Sequence, residues 1–377
     1  MDVKAVQGTS DDAAVSKLCA AEKGYFKDDF LQHFVTRKAK RSPLINRGYY
    51  SRVAAFDRVV KDFVVNGSNP ENYPVDTAKR RKVDPTTQYP ASQSSKENNA
   101  TDKQNGEAEL GPLQGDTTTG APVHKEEKKT DNITRQIVCL GGGFDTTYFR
   151  LKSAGFSGFQ YIEVDLPDIV NRKAQIIRRT PELQGLSGFE VKEEDSKSKI
   201  ISELHSSHYH LAACDLRSTQ DLDKVMKKCG ADFSLPTLFL SECVLIYLKP
   251  EYSTGVIKWA CEKVSEANGY GRFVTYEQIR CDDPFGITMV RNLESRGCAL
   301  LGLKAYPTLE AQIKRYKDAG WTKAAASDMN TVYSCLLDPE DRARIEKLEL
   351  FDEFEEWHLF GAHYALMVGT HVPVDAI

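Results

Sequence analysis

The chain contains no C-x-x-C pair, although it holds nine cysteines. They are scattered at Cys19, Cys139, Cys214, Cys229, Cys243, Cys261, Cys281, Cys298 and Cys335. That odd, dispersed set argues against a disulfide framework or a zinc site and points to a reducing compartment. Several fall in apolar runs, where a thiol acts as a small hydrophobe. No apolar run approaches the ~20 residues that cross a bilayer. The opening Met1-Asp2-Val3-Lys4-Ala5-Val6-Gln7 lacks the apolar segment of a secretory signal. Positive charge is not in excess either. The net charge is −4, so neither nucleic acid nor a membrane is expected as a partner. No internal repeat is visible. What remains is a chain of 377 residues, 41% apolar, able to bury a sizeable core and long enough for two domains. A cytoplasmic monomer is expected, with the nucleus as a second location.

Composition divides the chain. Residues 84–131 are Ser, Thr, Asn, Gln, Gly, Pro, Lys and Glu with almost no large apolar side chain. Such a stretch cannot bury enough surface to offset its ordering entropy, so a disordered insertion is expected there. The basic run Lys79-Arg80-Arg81-Lys82 on its leading edge reads as a solvated flank rather than a localisation signal or anionic docking patch. Residues 1–83 read as a helical cap, with helices over 10–21, 29–37 and 43–65. Ser10-Asp11-Asp12 is the expected start of the first. In the third, Tyr49, Val53, Phe56, Val60 and Phe63 form one stripe. Residues 132–377 alternate. Strands are expected at 136–140, 160–165, 211–213, 237–240 and 272–276, helices at 166–178, 219–229, 250–267 and 309–319. The last strand, 363–370, pairs antiparallel with one near 321–326. This pattern is that of an α/β fold with a mostly parallel sheet covered on both faces.

The chemistry concentrates at strand ends. Gln136-Ile137-Val138-Cys139-Leu140 runs into Gly141-Gly142-Gly143-Phe144-Asp145, a turn whose bare backbone a ligand can approach. The next short strand ends in Asp165, where a carboxylate accepts hydrogen bonds from ribose hydroxyls. Asp215, Glu242 and Glu277 also follow apolar strands, and together they read as a rim of acceptors. Helix N-capping by Asp215 and Glu242 is the alternative. A dinucleotide needs its pyrophosphate at the helix N-terminus. Asp145 stands there and repels it. S-adenosyl-L-methionine has no phosphate and carries a sulfonium and an ammonium, both suited to an acidic rim.

At this point the residues resemble a known family, the leucine carboxyl methyltransferases. The resemblance rests on Ile45-Asn46-Arg47-Gly48-Tyr49-Tyr50-Ser51-Arg52, Leu140-Gly141-Gly142-Gly143-Phe144-Asp145-Thr146-Thr147 and Glu163-Val164-Asp165-Leu166-Pro167. Ala213-Cys214-Asp215-Leu216-Arg217, Leu235-Pro236-Thr237-Leu238 and Ser241-Glu242-Cys243-Val244-Leu245-Ile246-Tyr247 extend it. It spans nearly the whole chain except the insertion, where the family has a shorter connection. The family also often has Ala in place of Gly142. The resemblance implies a class I S-adenosylmethionine-dependent methyltransferase fold with a seven-stranded sheet, its last strand antiparallel, and N-terminal helices added. It implies S-adenosyl-L-methionine as cofactor, and as substrate the C-terminal leucine α-carboxylate of the type 2A protein phosphatase catalytic subunit. Cofactor contacts would come from Gly141, Gly143, Asp165 (ribose), Asp215 and Leu216 (adenine), Glu242 (methionine end), and the cations Lys17 and Arg52. Arg52 and Tyr247 are the candidates for orienting the substrate carboxylate.

That carboxylate is ionised at neutral pH, so its attack on a sulfonium methyl needs no general base. The site must supply proximity, in-line geometry and exclusion of water. Residues 285–306 read as a lid or wall. His205-Ser206-Ser207-His208-Tyr209-His210 lacks supporting carboxylate spacing, so no metal is expected. Cys243 reads as a core thiol. Competing readings are a nicotinamide-dependent oxidoreductase, a catalytically dead phosphatase-binding protein and a tRNA-modifying methyltransferase of the same family. Enzymes of the last kind typically append a repeat-rich C-terminal β domain, of which this sequence has none.

Overall fold

Runs of Val, Ile, Leu and Phe without polar alternation form strands that are buried on both faces. The structure, a computed structural model, describes residues 3–67, 132–189 and 200–373. The described residues belong to one compact unit; residues 68–131, and with them the expected insertion and basic run, lie outside the described residues. Three helices come first, α1 (Val3–Glu22), the single turn α2 (Leu31–Phe34) and α3 (Pro43–Asn66). Alternation follows: β1 (Arg135–Leu140), α4 (Thr147–Ser153), β2 (Phe159–Asp165), α5 (Pro167–Arg179), α6 (Pro181–Ser187), β3 (Glu203–His205), β4 (Tyr209–Ala213), α7 (Thr219–Lys228), β5 (Thr237–Glu242), α8 (Pro250–Glu266) and β6 (Gly271–Gln278). The chain closes with α9 (Pro284–Glu294), α10 (Leu309–Asp318), β7 (Lys323–Asp328), α11 (Met329–Thr331), α12 (Pro339–Ile345), α13 (Phe354–Ala362) and β8 (Tyr364–His371).

Among the described residues the sheet has eight strands, in the order β3-β4-β2-β1-β5-β6-β8-β7. Strands β4, β2, β1, β5 and β6 run parallel, and β8 lies antiparallel to both β6 and β7. The order reverses beside β1, so a crevice opens at the carboxyl ends of β1 and β5. The expected count of seven is corrected to eight. The addition is β3, three residues paired antiparallel to β4 at the sheet edge. Glu203-Leu204-His205 is too short to show a period. Its pairing is set by the turn, where Ser206 N donates to Tyr209 O at 2.9 Å.

Successive residues of each strand feed opposite layers. Ile137 joins Tyr161, Tyr209 and, from α3, Phe56, Val60 and Phe63. Val138 joins Ile162, Phe239, Trp259 and Val264 on the other face. Pro43 opens α3 after the extended Ser42, and Gly67 ends it at φ 65°. Two N-terminal expectations are corrected. Helix α1 starts at Val3, so Ser10 lies inside it rather than capping it. Its first turn is held by tertiary packing: Ala5 and Val6 rest on Ile246, Tyr247, Cys298, Leu300 and Leu303. The helix expected over 29–37 shrinks to α2, because Asp28 Oδ1 accepts the N–H groups of Phe30 and Leu31 and Val35 is extended. No helix among the described residues is long and apolar enough to cross a membrane.

Candidate active site

The crevice beside β1 is a cavity of about 760 Å³. Its floor is the glycine turn. Gly141 (φ 75°) and Gly143 (φ 55°) lie in the left-handed region. At Gly141 space forbids a side chain as well, since a Cβ would fall 2.5 Å from Val244 Cγ2. Gly143 N donates to Asp165 Oδ2 at 2.7 Å, and Leu166 N donates to Asp165 Oδ1 at 2.6 Å. Burial pushes the Asp165 carboxyl up, against the opposing pull of those two bonds.

A buried polar network props the turn from beneath. Lys173 of α5 donates to Glu163 Oε1 at 2.8 Å and to the Asp145 carbonyl at 2.7 Å, while Tyr209 Oη donates to Glu163 Oε2 at 2.5 Å. Lys173 and Glu163 are 0% and 1% exposed. A Cβ at position 142 would sit 3.1 Å from Glu163 Oε1 in an ordinary backbone conformation. Alanine is tight there but not forbidden.

Charges of both signs meet above the turn. Lys17 of α1 lies 3.1 Å from Glu242 Oε1 and 3.7 Å from Asp145 Oδ2. Arg52 of α3 donates through Nε to Glu242, and its guanidinium lies 5.0 Å from the Tyr276 ring centroid. Burial would raise the Glu242 carboxyl, but Arg52 and then Lys17 outweigh it and hold the group low. Asp145 is likewise buried yet held at about 2, with Lys17 the strongest opposing charge. Two cations and two carboxylates thus form a neutral quartet drawn from α1, α3 and the ends of β1 and β5.

The residues assigned to cofactor or substrate contacts in the sequence all border this one cavity: Lys17, Arg52, Gly141, Gly143, Asp165, Asp215, Leu216, Glu242 and Tyr247. Neither Asp215 nor Glu242 caps a helix. Asp215 turns back on Arg217, whose N–H donates to Oδ1 at 2.9 Å, and Ser218 caps α7 instead. Cys243 follows Glu242 at φ 55° and turns the chain into a 3₁₀ turn, Leu245–Tyr247, that sets Tyr247 in the wall. Burial pushes the Cys243 thiol up to about 11, which keeps it protonated at neutral pH.

Glu277 is a correction. It is 0% exposed, lies within β6 rather than at its end, and faces Arg315 of α10 at 3.7 Å, away from the cavity. Other wall residues went unread in the sequence. Gly8, Thr9 and Ser10 of α1 line the cavity, as do Trp357 and Phe360 of α13. The three-residue spacing of Trp357 and Phe360 is a helical signal; the first turns of α1 carry none.

A doubly wound sheet with a glycine turn after β1, a carboxylate after β2 and an antiparallel strand near its far edge defines a class I methyltransferase, an enzyme whose methyl donor is S-adenosyl-L-methionine. A profile of the family described as "Leucine carboxyl methyltransferase" matches residues 123–261. "Leucine carboxyl methyltransferase 1 homolog" of Arabidopsis thaliana is 38% identical over 99% of this chain and 90% of its own length. "Leucine carboxyl methyltransferase 1" of Bos taurus is 32% identical over 98% of this chain and 90% of its own. "tRNA wybutosine-synthesizing protein 4" of Homo sapiens is 35% identical over 97% of this chain but only 44% of its own length. A solved O-methyltransferase family protein from Burkholderia thailandensis is similar over 64% of this chain and 52% of its own, at 15% identity and a TM-score of 0.36. The chain belongs to the leucine carboxyl methyltransferase family.

Proposed function

We propose that this enzyme methylates the α-carboxylate of a C-terminal leucine on the catalytic subunit of a type 2A protein phosphatase, giving a methyl ester. The observation that carries the reading is the likeness to leucine carboxyl methyltransferases over nearly the whole of both chains. The site residues suit the cofactor. The neutral quartet of Lys17, Arg52, Glu242 and Asp145 matches a methionine end that bears one ammonium and one carboxylate. Asp165 suits a ribose diol, and Asp215 with the buried Leu216 suits an adenine edge and face.

Bound cofactor supplies an electrophilic methyl group on its sulfonium. The protein's part is positioning. Arg52 presents a planar fork that matches a carboxylate. Burial raises the Tyr247 phenol, which stays protonated and can donate to the same group. The first turns of α1 cover the cavity and keep water from an otherwise strongly solvated nucleophile. Nine free cysteines suit the reducing cytoplasm, where we place the reaction.

The test is transfer of labelled methyl from S-adenosyl-L-methionine to the phosphatase catalytic subunit with and without its last leucine. Label that depends on the leucine and leaves as methanol in mild base supports the reading. Equal labelling of the shortened subunit overturns it. So does labelling of tRNA alone, the outcome the tRNA wybutosine-synthesizing relative would favour. Arg52→Ala is expected to abolish transfer in a folded protein. Normal turnover in that variant ends the carboxylate assignment.

A further inference from the structure

The histidine run around β3 and β4 takes no part in the cleft, and sequence spacing alone offers it no metal site. Folding adds what the spacing lacked. His205 and His210 stand opposite one another in the β3–β4 register, with their Nδ1 atoms 3.0 Å apart. Cys229, the C-cap residue of α7, completes a cluster in which Cys229 Sγ and one ring nitrogen of each histidine all lie within 4.8 Å of one another. His210 and Cys229 are buried and His205 is half-buried.

The remaining ring nitrogens each face a polar side chain. His205 Nε2 lies 3.4 Å from the Glu203 carboxylate, and His210 Nε2 lies 2.8 Å from the Gln160 side-chain amide. An outer carboxylate or amide at one ring nitrogen, with the other turned toward a shared point, is how proteins orient imidazoles that bind metal. Two Nδ1 atoms facing each other require a proton between them. A cation can take that proton's place. Gln160 also donates to the Cys229 carbonyl at 2.7 Å. A half-turn of its amide exchanges that bond for acceptance of the His210 Nε2 proton.

Tetrahedral zinc, with Zn–N of about 2.0–2.1 Å and Zn–S of about 2.3 Å, sets ligand separations of about 3.3 Å between nitrogens and about 3.6 Å from nitrogen to sulfur. The rings need to part by a few tenths of an ångström, and a thiol shift of about one ångström suffices. Two imidazoles and a thiolate select zinc or a similar borderline-soft ion and disfavour magnesium and calcium, which take oxygen. Glu203 is held by Lys228 at 2.5 Å, so the fourth position falls to water.

We propose that His205, His210 and Cys229 form a zinc-class site at the β3–β4 edge that ties the short edge strand β3 to α7. The metal clamps an edge that otherwise rests on three residues of pairing.

The experiment strips the whole protein with a chelator and titrates it with Co²⁺, then Zn²⁺. One equivalent of Co²⁺ is expected to bind with an intense thiolate-to-metal absorption band, which Zn²⁺ removes. Cys229→Ser is expected to lose the band, and His205→Gln to weaken binding at least tenfold. Methyl transfer should persist in both, because neither residue lines the cleft. No bound Co²⁺, or a band that survives Cys229→Ser, overturns the proposal. If Cys229→Ser does not fold, wild-type affinity in His205→Gln overturns it equally.

Discussion

Replacing Lys173 by Met tests how the glycine turn is held. The change removes the ammonium that bonds Glu163 and the Asp145 carbonyl. Both partners are within 1% of full burial, so Glu163 loses its countercharge in a dry interior and keeps only the Tyr209 hydroxyl. Breaking a buried pair from one side costs about 3–5 kcal/mol. Glu163→Leu strands the ammonium and should cost a similar amount. The double variant strands neither charge, and replacement by apolar groups of similar volume is often near neutral. It should therefore cost no more than either single change, well short of the summed single losses, in urea unfolding. Stability and turn geometry then separate. The double variant still lacks the bond to the Asp145 carbonyl, worth about 1–1.5 kcal/mol. Its dissociation constant for S-adenosylhomocysteine, measured by titration calorimetry, should rise by about tenfold. Additive single effects with unchanged ligand affinity would refute the reasoning.

Gly141→Ala should destabilise by about 2–5 kcal/mol, combining left-handed strain with overlap on Val244, whereas Gly142→Ala should cost less than about 1.5 kcal/mol; equal urea midpoints would sink the distinction. Burial, partly opposed by Arg315, raises Glu277 to about 7, so the folded state keeps a proton that the unfolded chain releases near its ordinary value. Stability should therefore fall by about 3 kcal/mol as pH rises from about 4.5 to about 7, and Glu277→Gln should remove that slope from the pH dependence of urea unfolding. Glu242, held low, acts with the opposite sign: its contribution is present above the ordinary glutamate range and is lost as pH falls through its folded value, so Glu242→Gln should flatten the acid side of the same curve. Arg52→Lys keeps a charge near Glu242 but loses the fork, and kcat/KM should drop about 10²-fold while the urea midpoint moves little.

The candidate site was largely legible because its parts sit at punctuation. A strand that ends in glycines, and strands that end in Asp165 or Glu242, announce themselves in any α/β chain, since only special backbone or a ligand explains them. Lys17 and Arg52 were legible through family resemblance rather than pattern, for nothing in a helical stripe says which exposed position a fold will cover. Glu277 was misread for the same reason: a carboxylate late in an apolar run looks like a rim until Arg315, far along the chain, is seen to face it.

Local sequence thus determined the strands, the glycine turn and the helical stripes, because each depends on side-chain period and backbone freedom within a few residues. Only the tertiary structure decided the first turns of α1, the edge strand β3, the Lys173–Glu163 prop and the meeting of Cys229 with two histidines. Each of those rests on contacts between residues distant along the chain, whose stabilisation comes from burial that no local window records.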